Sequence, residues 1–168
     1  NDGGGGHFIW DASITAAVYD TDPTKGVYVY ATSKTTDGCW VRQYDGHLDI
    51  RWFGADGGAD DTAAFAGANA VADKDNAIYV PPGVWMATQI VLDAGTFLVG
   101  EGPGISYVKQ VAGETDHLIT DNGSGVNIFI RNLGIDGNNN TITDGLVNLG
   151  NNGIQLGTVG GIQNVYVQ

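Results

Sequence analysis

Three short signals between Trp52 and Gly83 constrain the fold more than any other part of the chain. Trp52-Phe53-Gly54-Ala55 reads as a tight turn. Asp60-Asp61-Thr62-Ala63-Ala64-Phe65 reads as the start of a capped helix, and Ile78-Tyr79-Val80-Pro81-Pro82-Gly83 as a strand stopped at a corner. Asp60 or Asp61 can accept hydrogen bonds from the free N–H groups of a first helical turn. Ala64, Phe65, Ala68 and Val71 then fall on one face, which predicts a helix over Thr62–Asp73. That helix is too small and Ala-rich to be a domain. It suits a lid over the open end of a solenoid, where strand edges and an apolar interior need cover. A catalytic role for Asp60 and Asp61 is the competing reading; capping accounts for both without further assumptions.

From Ile78 onward the chain reads as short strands broken by Gly, Asn and Asp, at 78–80, 84–87, 89–92, 96–99, 105–111, 117–120, 126–135, 153–156 and 162–167. The 27 glycines have no G-X-Y period, which excludes collagen, and fit many tight turns. Ile130-Arg131-Asn132-Leu133-Gly134-Ile135 resembles Ile162-Gln163-Asn164-Val165-Tyr166-Val167, and Phe97-Leu98-Val99-Gly100-Glu101-Gly102 lies a similar distance upstream. A spacing of about 32 residues is within the range of solenoid repeats. Ile128, Ile130, Leu133 and Ile135 alternate with a bulge-like slip at Asn132, which places one set inside and the other out.

Residues 1–48 read as a small β-rich unit. Val27-Tyr28-Val29-Tyr30 is a strand candidate, and Asp37-Gly38 and Asp45-Gly46 are turns flanking Cys39–Tyr44. Cys39 is the only cysteine, so no intrachain disulfide forms; its apolar neighbours favour a buried, inert thiol.

The composite from Trp52 to Gly83 resembles the N-terminal start of the pectate-lyase-like right-handed parallel β-helix family, which phage tailspikes and polysaccharide depolymerases use. Asn132-Leu133-x-Ile135-Asp136-Gly137-Asn138 is similar to a common rung sequence of that family. The Gly-run at Gly3–Gly6, Phe8-x-Trp10-Asp11 and Gly38-x-Trp40-Val41-Arg42 resemble segments that precede the β-helix in phage and bacterial surface proteins. The resemblance implies a mostly β protein. Residues 1–48 would be an attachment or neck region, and 49–168 a capping helix with the first rungs of a right-handed parallel β-helix. It further implies a homotrimer on a virion tail, contacting phage tail proteins and binding or depolymerising a bacterial surface polysaccharide. The alternatives are a secreted bacterial glycoside hydrolase or lyase of the same fold, and a non-catalytic receptor-binding fibre. The chain starts without Met and stops on a strand, so a piece of a longer protein is expected, with most of any active site outside it.

Charge excludes other classes. The net charge is −12, and the seven basic residues are scattered, whereas phosphate binding needs clustered cations. Nucleic acid and anionic membrane surfaces are disfavoured partners, and no apolar run approaches the ~18 residues of a membrane span.

Motifs with chemical potential mostly reduce to turns. Gly100-Glu101-Gly102-Pro103-Gly104 has no following helix, and Pro103 removes an N–H that a phosphate would need. Asp136-Gly137-Asn138-Asn139-Asn140 begins like a calcium loop but carries Thr141 and Val147 where that loop needs Gly and Glu. His7, His47 and His117 have no metal-ligand spacing, so neither a metal nor a cofactor is expected. His117 beside Asp116 is a weak acid/base pair. Glycoside hydrolysis needs two carboxylates; Glu101, Glu114, Asp116, Asp121, Asp136 and Asp144 are the candidates, nothing singles out a pair, and the catalytic residues stay unknown. Trp10, Trp40, Trp52 and Trp85 could stack on sugars. The favoured readings place Trp40 and Trp52 at a packed junction and Trp85 inside the first coil.

Overall fold

The structure, a computed structural model, describes residues 5–31, 33, 36–72, 76–122, 128–138, 147–148 and 161–167. The chain opens with an antiparallel sheet of β1 (His7–Asp11), β2 (Tyr28–Val29) and β3 (Cys39–Gln43), in the order β1-β3-β2. A single helical turn, α1 (Ala16–Tyr19), lies between β1 and β2 and was not legible in the sequence. Asp22 ties the approach to β2. Its buried carboxylate accepts from the N–H groups of Gly26, Val27 and Tyr28 at 3.1, 2.6 and 2.9 Å, so its burial is matched by donors. Cys39 is a buried thiol outside any disulfide, as expected.

All later pairings are parallel. β4 (His47–Asp49), β5 (Ala77–Val80), β6 (Gly83–Ala87), β8 (Phe97–Gly100), β9 (Ser106–Gln110), β11 (Phe129–Asp136) and β13 (Gly161–Val167) make one sheet. Its order is β4-β5-β8-β11-β9-β6, with β13 also on β11. β7 (Ile90–Leu92), β10 (Ile119–Asp121) and β12 (Val147–Asn148) make another, in the order β12-β10-β7. The large sheet curls because β11 serves two neighbours: Phe129–Arg131 pair with β8, and Gly134–Asp136 pair with β9. Asn132 is the corner between them. Its φ of 54° lies in the left-handed region, where asparagine is among the better-tolerated residues, and its carbonyl accepts from Gly102 N–H at 2.9 Å. The bulge-like slip expected there is this corner. A curled parallel sheet with a second parallel sheet beside it fits a β-helix.

Register stacks the interior. Leu48, Ile78, Leu98 and Ile130 face one another across four strands, and all are fully buried. Trp85, Val108 and Ile135 form a second stack, and Ile90 faces Ile119 in the third direction. Full burial of such side chains contributes about 1.5–3 kcal/mol each. Trp85 fills the interior and donates its indole N–H to Pro81 O at 2.8 Å, so it does not present a face to a sugar.

Helix α2 spans Thr62–Val71 and buries Ala64, Phe65, Gly67 and Ala68 against the 3-10 turn Ile50–Phe53 and strands β5 and β7. It covers the first strands, as a lid should. It stops short of the expected Asp73 because Ala72 is already extended, with ψ 139°; Asp73 lies outside the described residues. The cap falls to Asp60, whose Oδ1 accepts from Thr62 N and Oγ1. Asp61 turns back instead and accepts from Asp56 N at 3.0 Å. The strand expected at 153–156 lies outside the described residues; the other expected strands from Ile78 onward occur within a few residues of expectation, whereas β4 and β12 were not anticipated.

One expectation needs correction. Trp40 is not packed at a junction: it is 49% exposed, opposite the 47%-exposed Trp10 in the β1–β3 register, with ring centroids 5.6 Å apart edge-to-face. The junction is made by Trp52 instead. The Arg42 guanidinium lies 4.5 Å from its ring and 4.6 Å from Phe8, and donates to Gly26 O and Gly5 O at 2.6 and 2.7 Å. Burial pulls Arg42 below its ordinary value, against the countering charges of Asp49 and Asp22.

Candidate functional site

The outer face of β4, β5, β8 and β11 follows from strand alternation. Since Leu48, Ile78, Leu98 and Ile130 point inward, their neighbours point out. One line across the strands is His47, Ala77, Phe97 and Phe129; the next is Asp49, Tyr79, Val99 and Arg131. Phe97 and Phe129 stack at 4.7 Å with planes 15° apart. A concavity of about 130 Å³ is lined by His47, Ala77, Phe97, Leu98, Val99, Phe129 and Arg131. A second, of about 240 Å³, is lined by His47, Tyr79 and Glu101. His47 borders both, so the two concavities adjoin on the outer face and are together termed the trough.

The polar groups are held by the fold. Glu101 sits at the corner after β8. Its N–H donates to Ser106 Oγ at 3.0 Å, and Ser106 donates on to Val80 O at 2.9 Å. From there Glu101 Oε1 accepts from Tyr79 Oη at 2.7 Å, while His47 meets the Tyr79 ring edge-on at 6.1 Å. Burial, and after it the Glu101 hydrogen bond and charge, push Tyr79 up to about 12. It is therefore a neutral donor at physiological pH, poorly suited to act as a phenolate base. Asp49 is spent on Arg51, with Nη2 to Oδ2 at 2.5 Å and Nε to Oδ1 at 3.0 Å, and that contact first of all raises Arg51. Mostly apolar lining with a few placed polar groups is the make-up of a small-molecule site.

The carboxylates considered from sequence are dispersed. Glu101 is in the trough. Glu114 and Asp116 lie in the connection between β9 and β10, and Asp121 is in β10. Asp136 ends β11 in an ion pair with Lys109 at 3.2 Å, and its Oδ1 accepts from Asn138 N at 2.7 Å, so this segment begins as a turn. Asp144 lies outside the described residues. The loop at 100–104 is likewise a turn, closed by Ile105 N and Ser106 N on Gly102 O. Asp116 and His117 are tied down through their carbonyls, by Gln110 and Gln89. Among the described residues no group of three His, Cys, Asp or Glu could hold a metal ion. Sequence reasoning missed Phe97, Phe129, Tyr79 and Arg131 as site residues. The signal was present: placing the repeats in register puts Phe97 on Phe129.

No protein-family model matches the chain, and no curated protein matches it. Solved structures do. The enzymatically active domain of bacteriophage CBA120 tailspike protein 2 is 19% identical and covers 98% of this chain with a TM-score of 0.61. The A-module of the Azotobacter vinelandii mannuronan C-5 epimerase is 23% identical over 72% of the chain, with a TM-score of 0.59. The catalytic unit of an α-1,3-glucanase from Streptomyces thermodiastaticus is 23% identical over 79%, with a TM-score of 0.56. The chain spans only 21%, 38% and 25% of those three structures. At these identities the likeness is one of fold. The neighbours are a phage tailspike and carbohydrate-active β-helix enzymes, which agrees with the resemblance read from Trp52–Gly83.

Proposed function

We propose that this chain is the N-terminal part of a phage tailspike-like protein. Residues 1–48 form its attachment region, whose last two residues already enter β4. Residues 49–168 form the lid and first rungs of a right-handed parallel β-helix. The protein assembles as a homotrimer on the virion tail, and the β-helix binds and depolymerises a bacterial surface polysaccharide. The observation that carries this reading is coverage: the tailspike match extends over 98% of the chain, the antiparallel sheet included, while the epimerase and glucanase matches reach 72% and 79%. The aromatic trough supports a glycan-facing role for the outer sheet. The dispersed carboxylates support a complete active site lying elsewhere in the longer protein.

The test uses the longer protein and residues 1–168 side by side, with capsule and lipopolysaccharide O-chain purified from candidate hosts. The longer protein is expected to release oligosaccharides and the 1–168 piece to bind without cleaving. Antibody labelling should place the protein on phage tails. Secretion by an uninfected bacterium would instead support a secreted enzyme. Binding with intact polysaccharide from the longer protein would support a non-catalytic fibre.

A further inference from the structure

The trough has a gap of defined shape. Along its first line the side chains run His47, Ala77, Phe97, Phe129, one per strand. Phe129 covers one face of the Phe97 ring. On the other side stands Ala77, which has no bulk to cover the second face. Strands are about 4.8 Å apart, so His47 and Phe97 bracket a space of about 9–10 Å with only a methyl group as its floor. That space belongs to the concavity of about 130 Å³ described above.

The charges around it are unequal. Among the described residues, Arg51 is paired with Asp49, Lys109 with Asp136, Arg42 is spent on carbonyls and rings, and Lys25 lies over Tyr30 at 4.8 Å. Glu101 in the same trough already has the Tyr79 hydroxyl. The Arg131 side chain lines the concavity, is exposed, and makes no hydrogen bond or ion pair with another described side chain. A guanidinium offers a planar fork of donors that matches a carboxylate or phosphate. In a chain of net charge −12, a cation on an aromatic floor with no ion-pair partner among the described residues selects locally for an anion that the surface as a whole repels.

We propose that the notch over Ala77 is a subsite for one sugar ring bearing an anionic substituent, with the ring on the open face of Phe97 and the anion on Arg131. The inference rests on the glycan-facing reading of this sheet and narrows it to acidic or phosphorylated saccharides. Polar contacts from His47 and the Tyr79–Glu101 pair complete the edge of the notch.

The experiment is an NMR titration of the full chain with methyl β-D-glucuronoside, glucose 6-phosphate and methyl β-D-glucoside, each to about 20 mM. At least one charged sugar should shift the Arg131 side-chain N–H and Phe97 ring signals. It should bind about tenfold or more tightly than the neutral glucoside. The two charged probes distinguish carboxylate from phosphate. Arg131→Gln should abolish that preference, Arg131→Lys should keep part of it, and Ala77→Phe should remove binding of all three sugars. Thermal melts of each variant check folding, which these outward-facing changes should preserve. Equal binding of charged and neutral sugars, unchanged in Arg131→Gln, would overturn the anion assignment and leave the glycan-facing reading standing. No binding of any sugar to the wild-type chain would overturn both.

Discussion

Replacing Asn132 tests whether the corner in β11 holds the curled sheet. Asn132 has φ 54°, and the strand halves on either side pair with different neighbours. A left-handed conformation costs an L-residue with a Cβ about 1–2 kcal/mol, less for asparagine. A β-branched residue there is a genuine outlier. Asn132→Gly should therefore change stability by less than about 1 kcal/mol. Asn132→Ala should lose about 1–2 kcal/mol, and Asn132→Val about 2–3 kcal/mol. Urea denaturation with linear extrapolation measures the series, provided the m-value stays constant. Exchange of the Gly102 amide, which donates to Asn132 O, supplies a local probe. It should quicken in the same order. Equal stability of the valine variant and wild type, or glycine as the worst of the three, would refute the claim that backbone conformation sets this corner.

Three further outcomes follow from individual contacts. Tyr79 should titrate by near-ultraviolet absorbance at about 12, and Glu101→Gln should lower that value. Because the folded value lies above the ordinary 10, the stabilisation it reports is complete below pH 10 and is lost as pH rises towards 12. Ser106→Ala leaves Glu101 N–H and Val80 O without their shared partner at a fully buried position, and should lower stability by about 1–3 kcal/mol in chemical denaturation. Trp10→Ala and Trp40→Ala should weaken trimerisation of the longer protein by native mass measurement; a wild-type mass of one subunit would reject the trimer, and unchanged assembly in both variants would remove these rings from its interface.

The parts of the fold legible in the sequence were those with strong local signals. Asp60-Asp61-Thr62 marked a cap because carboxylates bond free N–H groups within a few residues, although which aspartate did so depended on a contact with Asp56. The slip at Asn132 was visible because the apolar alternation changes phase there. The turn α1 was not visible: Ala16–Tyr19 carries no side-chain cap and no apolar period. Trp40 was misplaced for a related reason. Its neighbours Cys39 and Val41 are apolar, but a strand sends alternate residues to opposite faces, and only the pairing with β1 decides which face is covered. The trough was hidden because its members are single residues from four strands, brought together by parallel register alone.

The corner between the two arms of the curled sheet changes length from one level to the next. Between β5 and β6 it is Pro81 and Pro82, between β8 and β9 it runs from Glu101 to Ile105, and within β11 it is a bend in a continuous strand. Register on both sides is nevertheless kept: Val80 faces Gly100, and Gly83 faces Ser106. Insertions at this edge are therefore nearly free of consequence for the interior, whereas loss of one residue within a strand would turn its inward set outward. Loop closure adds little resistance. Lengthening a connection from the 20 residues that separate Ala77 and Phe97 to the 32 that separate Phe97 and Phe129 costs about 0.4 kcal/mol. Such an edge lets new surface loops arise by insertion while the scaffold beneath them persists, so lineages sharing this architecture can diverge in what they recognise without having to refold.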